Sequence, residues 1–270
     1  MDMANRPIGI FDSGVGGLTV YKELKEQLPH ESFVYLGDTA RVPYGSKSKE
    51  TVLKYALQNS LFLLDYDVKL IVVACNTASA FSLEYLQSRL KVPVVGVIGA
   101  GARAAIQVTK NNKVGIIGTD GTIRSRVYER HLKDLCQKIV VVSKATGLFV
   151  SLIEENILQD EVIKPIFDYY LKDLIDRDID TLILGCTHYP ILKDKLNHYF
   201  NNQINLVDSA SVTAGEVCKK LEEFHLVNQS PVACENRIFV TDAPDRVQNI
   251  ARHFLKDPSV EIIKKEISTY

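Results

Sequence analysis

The 270-residue sequence contains no tryptophan, no long apolar run and no excess of charge of either sign. Lysine and arginine number 32 and aspartate and glutamate 33, so no overall field favours binding to nucleic acid or anionic lipid. No apolar run approaches the roughly 20 residues that cross a bilayer, and the first residues lack the pattern of a secretory signal. We therefore expect a cytoplasmic protein with no nucleic-acid or membrane partner, which binds a small molecule.

The cysteines are too few and too irregularly spaced for a disulfide framework or a zinc site. They are odd in number, and no two are arranged as C-x-x-C. In a reducing compartment they are expected to be free thiols, and their spacing predicts no metal. The five cysteines are Cys75, Cys136, Cys186, Cys218 and Cys234.

Short apolar runs rich in β-branched residues alternate with longer amphipathic stretches, and 46% of the residues are hydrophobic. This alternation predicts an α/β fold with mostly parallel sheets flanked by helices. The predicted strands are Ile8 to Asp12, Phe33 to Gly37, Lys69 to Ala74, Val92 to Val97, Val114 to Gly118, Ile139 to Ser143, Thr181 to Gly185, Ile204 to Asp208, Arg237 to Val240 and Val260 to Ile263. The predicted helices include Leu18 to Leu28, Lys49 to Leu64, Tyr85 to Leu90, Ser125 to Leu135, Glu161 to Ile175 and Ser211 to Phe224.

The first four predicted strands recur in the next four at nearly constant offsets. The aligned pairs are Ile8 with Val114, Phe33 with Ile139, Cys75 with Cys186 and Val92 with Ile204, at offsets of 106, 106, 111 and 112 residues. The recurrence predicts two similar β-α modules of roughly 100 residues each. Because parallel sheets bind ligands beyond the carboxyl ends of their strands, two such modules facing one another would form a cleft.

Polar side chains follow the apolar runs directly, where parallel strands end. The segments are "DSG" after the first strand, "CNTAS" after the third, "GTDGT" after the fifth and "CTHYP" after the seventh. Cys75 and Cys186 thus occupy equivalent strand ends. For either cysteine alone, a buried apolar role is an equally good interpretation. The pair favours a functional role, whereas Cys136, Cys218 and Cys234 lack this context and are expected to be structural.

Two thiols on opposite walls of a cleft suit the inversion of a carbon stereocentre, in which one group removes a proton and the other supplies one from the opposite face. A thiol has an ordinary pKa of about 8.5, so it can act as acid or base near neutral pH if one of the pair is held as thiolate. Asp12 and His188 are the natural auxiliaries of the two thiols. Alternatively, Asp12 caps a helix or turn and His188 is a hydrogen-bonded turn residue.

Other functions fit the sequence less well. "DSGVGGLT" followed by Asp38 resembles a dinucleotide-binding turn, but Thr19 replaces the third glycine and Asp12 would repel a pyrophosphate. "ACNTASAF" lacks the arginine of a phosphatase loop. A papain-type pair of Cys186 and His188 is disfavoured, because residues two apart on an extended chain point to opposite sides. A solute-binding or sensing protein with the same cleft is the alternative outside enzymes.

Several long segments, in order, resemble the cofactor-independent glutamate racemases of bacteria: "GIFDSGVGGLTV", "YLGDTARVPYGSKS", "VVACNTAS", "VGIIGT", "LFVSLIEE" and "LILGCTHYP". The similarity runs from about Pro7 to Ser209 and continues more weakly to the end. The resemblance implies interconversion of L- and D-glutamate, which supplies D-glutamate for peptidoglycan, without pyridoxal phosphate, metal or other cofactor. It also implies a homodimer. Within enzymes, racemisation of aspartate or another acidic amino acid is the alternative.

The resemblance also implies roles for individual residues. Cys75 is expected to remove the α-proton of D-glutamate and Cys186 that of L-glutamate, with Asp12 and His188 as their assistants. Glu154 resembles a further acidic residue of the site. The expected substrate contacts are Asp12, Ser13, Tyr44, Gly45, Asn76, Thr77, Thr119, Thr122, Thr187 and His188.

In the family that the sequence resembles, the chain crosses over between two domains and the active site lies in the cleft between them. The resemblance therefore implies a first, discontinuous α/β domain of residues 1–98 plus 209–270, and a second α/β domain of residues 99–208. The internal repeat alone predicts two modules but not this exchange.

Overall fold

The protein is described by a computed structural model that covers residues 3–228 and 235–267. The strands are β1 Ile8–Asp12, β2 Phe33–Gly37, β3 Leu70–Val73, β4 Val94–Gly96, β5 Lys113–Gly118, β6 Val140–Ala145, β7 Thr181–Gly185, β8 Asn205–Asp208, β9 Asn236–Val240 and β10 Ile262–Lys264. The α-helices are α1 Leu18–Gln27, α2 Lys49–Leu64, α3 Asn76–Arg89, α4 Val97–Val108, α5 Asp120–Ser125, α6 Val127–Leu135, α7 Leu148–Glu154, α8 Asp160–Asp176, α9 Lys193–Tyr199, α10 Ser209–Glu223 and α11 Pro244–Leu255. Short 3-10 helices cover Met3–Asn5 and Tyr189–Leu192.

The strands form two parallel sheets, which confirms the predicted α/β class. Their orders are β10-β9-β2-β1-β3-β4 and β6-β5-β7-β8. The four-strand order β2-β1-β3-β4 of the first sheet is thus repeated in the second. The strands β1, β2, β3 and β7 are buried along their whole length, as expected for parallel strands covered by helices on both faces.

Strand register tests the internal repeat residue by residue. Ile8 of β1 pairs with Leu70, and Val114 of β5 pairs with Thr181, which reproduces the offset between the two cysteines. The second strand differs, because Ile8 pairs with Phe33 whereas Val114 pairs with Val141. Phe33 therefore corresponds to Val141 and not, as predicted, to Ile139.

The helices that follow the strand ends were the least predictable elements. Helix α3 begins at Asn76, directly after Cys75, and not at Tyr85 as predicted. Its first turns consist of small polar and apolar residues that are almost all buried, so they lack the amphipathic pattern on which the prediction rests. The predicted strand Val92 to Val97 is shorter than expected because Val97 begins α4. The predicted helix Ser125 to Leu135 is interrupted at Arg126, which has a positive φ of 55°.

The last strands return to the first sheet, since β9 pairs with β2 and β10 with β9. Helices α4 and α10 pack against each other, and α10 also packs against α1. Buried side chains from both sheets, from Ile8 to Ile183, meet in one hydrophobic cluster that includes Ala102 and Ala214 of these two helices. Within residues 3–228 and 235–267, no helix is long and apolar enough to cross a bilayer.

Candidate active site

Both sheets present the carboxyl ends of their strands to a single small cavity. Cys75 follows β3 and Cys186 follows β7, and these strands hold equivalent places in the two sheets. The cavity is small: the empty space between its walls, open solvent included, is about 380 Å³. It is lined by Ser13, Val42, Pro43, Tyr44, Gly45, Cys75, Asn76, Thr77, Thr119, Val150, Cys186, Thr187 and His188.

Cys75 is held at the N-terminus of α3. Its Sγ accepts a hydrogen bond from Ala78 N at 3.5 Å and can donate to Ser13 Oγ at 3.6 Å. The residue is 6% exposed. Burial, and then the nearby carboxylate of Asp12, raises the pKa of the Cys75 thiol to about 12. The structure therefore favours the protonated thiol at this position.

Cys186 is paired with a histidine of its own turn. Its Sγ lies 3.8 Å from Nδ1 of His188, because His188 has helical backbone angles (φ −78°, ψ −30°) and the chain is not extended here. The sequence argument that these two side chains point apart is therefore wrong. Gly16 packs against this turn so closely that an added Cβ would collide with His188 and Thr187, which explains the glycine.

His188 is connected to Glu154 on its far side. Nε2 of His188 lies 3.0 Å from Oε1 of Glu154, whose other oxygen is 3.6 Å from Arg246 of α11. Burial alone lowers the pKa of His188, but the hydrogen bonds to Cys186 and Glu154 prevail and raise it to about 10. The same hydrogen bond lowers the pKa of Glu154. An imidazolium at neutral pH follows, beside the sulfur of Cys186.

Glu154, and not its neighbour Glu155, faces the site. The side chain of Glu155 is 59% exposed and contacts Arg246 at 2.8 Å, whereas that of Glu154 is 21% exposed and reaches His188. Sequence alone offers two adjacent carboxylates here, and the helical turn of α7 selects between them.

Asp12 ends β1 behind the cavity and is fully buried. Its Oδ2 accepts a hydrogen bond from Gly14 N at 3.0 Å, which is the turn role considered from the sequence, while Oδ1 has no partner. Burial raises the pKa of Asp12, opposed by the charge of His188 and by backbone N–H groups. Buried polar atoms are rarely left unpaired, so this free acceptor marks a place for a donor.

Three threonine hydroxyls form a cluster at one wall of the cavity. Thr77 Oγ1 lies 2.7 Å from Thr119 Oγ1 and 3.1 Å from Thr122 Oγ1, and the last two are 3.1 Å apart. Thr77 comes from α3, which follows the first sheet's β3, whereas Thr119 caps α5 and Thr122 lies within α5, so the cluster joins the two modules. Beside it, the Asn76 Oδ1 accepts from Tyr128 at 2.7 Å, but the buried Asn76 Nδ2 has no partner.

The predicted site residues lie at the cavity or directly behind its wall. Most of them line the cavity; Asp12, Thr122 and Glu154 lie behind lining residues. Sequence reasoning missed Val42, Pro43 and Val150, which also line it. The first two flank the predicted Tyr44 in "RVPYGS", so proximity to that motif was the available signal; Val150 has an ordinary apolar context and gave none.

The sequence analysis also made predictions about the other cysteines and about metal binding. Cys75, Cys136, Cys186 and Cys218 are free thiols, and Cys234 lies outside the described residues. In the described part of the chain, no group of three or more His, Cys, Asp or Glu side chains is arranged to hold a metal ion.

The chain is similar to known racemases over most of its length. The family described as Asp/Glu/Hydantoin racemase matches residues 8–217. The chain is 48% identical over 250 residues to a glutamate racemase of Geobacter metallireducens, with 93% of each chain covered. Among solved structures, a glutamate racemase of Bacillus anthracis superposes with a TM-score of 0.94 at 38% identity, covering 97% of this chain and 98% of that one. A glutamate racemase of Francisella tularensis in complex with D-glutamate superposes with a TM-score of 0.92 at 38% identity, covering 99% and 100%.

Proposed function

The chain belongs to the Asp/Glu/Hydantoin racemase family, and we propose that it is a glutamate racemase that interconverts L- and D-glutamate with two cysteines as acid and base. The observation that carries the proposal is that Cys75 and Cys186, from equivalent strands of two repeated sheets, line one small cavity. The similarity to glutamate racemases over almost the whole chain supports glutamate as the substrate.

Unpaired polar atoms support an amino acid as the ligand. The buried Asp12 Oδ1 lacks a donor, and the buried Asn76 Nδ2 lacks an acceptor. A ligand carboxylate in the cavity would accept from Asn76 Nδ2, whereas Asp12 lies behind the lining residues and would act on an α-ammonium through its charge. The hydroxyls of Ser13 and Thr77 at the cavity wall add further donors.

Hydrogen-bond donors to the substrate carboxylate matter because the transfer of the α-proton to a thiolate is steeply uphill. The α-hydrogen of an amino acid is less acidic than a thiol by well over about ten pK units, which corresponds to on the order of 15 kcal/mol. Hydrogen-bond donors fixed around the substrate carboxylate stabilise the charge that develops as the proton leaves. Such donors are already fixed in place by the fold, so they need no reorganisation as the charge develops.

The two sulfurs have different surroundings, from which we infer the resting state. With a pKa raised to about 12 by burial and by Asp12, Cys75 is a thiol at neutral pH. The proposed L-to-D direction needs Cys186 as the base, and His188 Nδ1, 3.8 Å from Cys186 Sγ, places a positive charge beside the sulfur that would carry the negative one. Cys186 then removes the α-proton of L-glutamate, and Cys75 protonates the opposite face to give D-glutamate. The reverse reaction starts from the exchanged state, with the proton on Cys186 and the negative charge on Cys75.

Three further points follow from the resemblance as parts of the same proposal. The chain divides into a domain of residues 1–98 plus 209–270 and a domain of residues 99–208, with the cavity between them. The enzyme acts as a cytoplasmic homodimer without a cofactor. Its D-glutamate is used for peptidoglycan.

Incubation in deuterium oxide without added cofactor tests the function. We expect L-glutamate and D-glutamate each to lose optical rotation and to gain one α-deuterium, since the protonating thiol exchanges with solvent. Aspartate in the same assay separates the two acidic substrates. If only aspartate exchanges its α-hydrogen, the substrate is aspartate and not glutamate. If no acidic amino acid exchanges, the racemase proposal is refuted and the cleft belongs to a binding protein.

A further inference from the structure

The segment 38–45, called here the 38–45 loop, joins β2 to the turn before α2 and forms one wall of the cavity through Val42, Pro43, Tyr44 and Gly45. It also touches the other module. Gly45 O accepts a hydrogen bond from Gly121 N at 2.7 Å, and a Cβ added at Gly45 would lie 2.6 Å from Thr119. The position of the loop therefore sets the separation between the two walls.

Arg41 ties this loop to α2. Its Nε donates to Asp38 Oδ2 at 2.7 Å, and its two terminal nitrogens donate to Gln58 Oε1 at 2.5 Å and Asn59 Oδ1 at 3.0 Å. The guanidinium also lies over the ring of Tyr55, with 4.1 Å from Cζ to the ring centroid. One planar cation thus contacts one loop residue and three side chains on one face of α2, spaced at i, i+3 and i+4, at once. Only the flat fork of arginine satisfies this set of partners.

Asp38 is the counterpart of Arg41 within the loop, and it is fully buried. Its Oδ2 also accepts from the hydroxyl of Tyr44, and its Oδ1 accepts from Thr241 Oγ1 at 3.1 Å. Thr241 follows β9 and in turn accepts from Ala40 N at 2.8 Å. The carboxylate is saturated by donors that belong to the loop or to its supports.

The hydroxyl of Tyr44 is used in the same network. Besides donating to Asp38, it accepts from Asn59 Nδ2 at 3.1 Å, and the residue is 1% exposed. A phenol makes one donor bond and accepts one or two, so this one has little left to offer a ligand. Its hydroxyl is therefore bound to the supports of the loop, while the residue itself lines the cavity.

We propose that Arg41 is a positioning residue for the racemisation proposed above: by binding Asp38, Gln58 and Asn59 it fixes the 38–45 loop and so holds Tyr44 and Gly45 at the cavity wall. The inference rests on the proposed function. Arg41 is absent from the cavity lining and contacts neither thiol, so its effect is on substrate binding and not on proton transfer.

The test is a comparison of Arg41→Gln with Arg89→Gln. Arg89 is the matched control, because its guanidinium also lies over a tyrosine ring, that of Tyr85 at 5.4 Å, but it does not line the cavity. We expect Arg41→Gln to raise KM for both enantiomers, and the Kd of D-glutamate measured by calorimetry, by about tenfold to a hundredfold, with a much smaller change in kcat. Arg89→Gln should leave both constants unchanged.

Two milder variants keep the test decisive if Arg41→Gln does not fold. Arg41→Lys keeps the charge but loses the fork, and Tyr44→Phe removes only the hydroxyl that the network holds; both should raise KM. Because Arg41 and Tyr44 act through Asp38, their effects on KM should be less than additive when combined.

The outcomes separate the two proposals. Wild-type KM in Arg41→Lys and Tyr44→Phe, or fully additive effects, would overturn the positioning role even though the wild type racemises glutamate. A loss confined to kcat with KM unchanged would overturn it as well. The third outcome is that the wild type binds D-glutamate but exchanges no α-hydrogen, and that Arg41→Gln binds D-glutamate more weakly. This outcome would refute the racemase while leaving the loop's role in binding intact.

Discussion

Glu154→Gln should lower the pKa of His188 and thereby shift the alkaline limit of activity. The carboxylate of Glu154 lies 3.0 Å from His188 Nε2, and this hydrogen bond is among the causes that raise the pKa of His188 to about 10. A hydrogen bond to a charged group contributes about 1.5–3 kcal/mol, and 1.36 kcal/mol corresponds to one pKa unit. Removal of the charge should therefore lower the pKa of His188 by roughly one to two units.

The direction follows from which form the bond stabilises. Glu154 favours the imidazolium, so wild-type His188 keeps its proton through neutral pH and loses it as the pH rises through about 10. In Glu154→Gln the loss comes at lower pH. Because the proposed mechanism uses the imidazolium beside Cys186 while that sulfur acts as the base, the rate of racemisation from L-glutamate should fall earlier on the alkaline side in the variant.

Nuclear magnetic resonance of ring-labelled histidine measures the titration directly. His131 is an internal reference, because burial lowers its pKa and it should be neutral where His188 is still charged. Glu155→Gln is the control, since it removes the same charge from the adjacent residue, which binds Arg246 and not His188. An unchanged His188 titration in Glu154→Gln, or an equal shift in Glu155→Gln, would refute the assignment.

Three further predictions concern packing, a buried ion pair and pH. Gly16→Ala should abolish most racemisation in a folded protein, because its Cβ displaces the His188 ring; a wild-type rate would contradict the close packing. Lys69→Met should lower the free energy of unfolding in urea by about 3–5 kcal/mol, since it leaves the Glu31 carboxylate, 2.5 Å from Lys69 Nζ, buried without its counter-ion and with a hydrogen bond from Asn228 N; a change below the error of the assay would contradict this. Because the pKa of Cys75 is raised from 9.0 to about 12, the folded state keeps a proton that the unfolded chain loses, so the stability from this thiol is complete below pH 9.0 and is lost as the pH rises towards 12. Wild type should therefore lose up to about 1.4 kcal/mol per pH unit more than Cys75→Ala in that window, and parallel curves would contradict it.

The sheets were predictable because parallel strands buried on both faces are apolar along their whole length. Each predicted strand in the described part of the chain has its counterpart, and the equivalence of Cys75 and Cys186 follows from that alignment together with the strand order. Most of helix α3 was missed for the opposite reason. Its first turns consist of small residues that are almost all buried, whereas a helix is recognised from sequence by an apolar face opposite a polar one.

The contacts that make the site specific could not be read from the sequence. Cys186 and His188 meet because the chain turns after β7, and an extended chain would have kept them apart. Glu154 is selected over Glu155 by the helical phase of α7 relative to the turn that carries His188. The network around Arg41 depends on side chains of α2 that are brought near only by tertiary packing.

The central claim is that two thiols act from opposite faces of one substrate, and α-hydrogen exchange by the two cysteine variants tests it most directly. In deuterium oxide, Cys75→Ala retains only Cys186 and should exchange the α-hydrogen of L-glutamate without inversion, and Cys186→Ala should do the same with D-glutamate alone. Racemisation should be abolished in both variants, with the fold retained by circular dichroism. Racemisation at the wild-type rate by either variant, or exchange of both enantiomers by one of them, would contradict the two-base account.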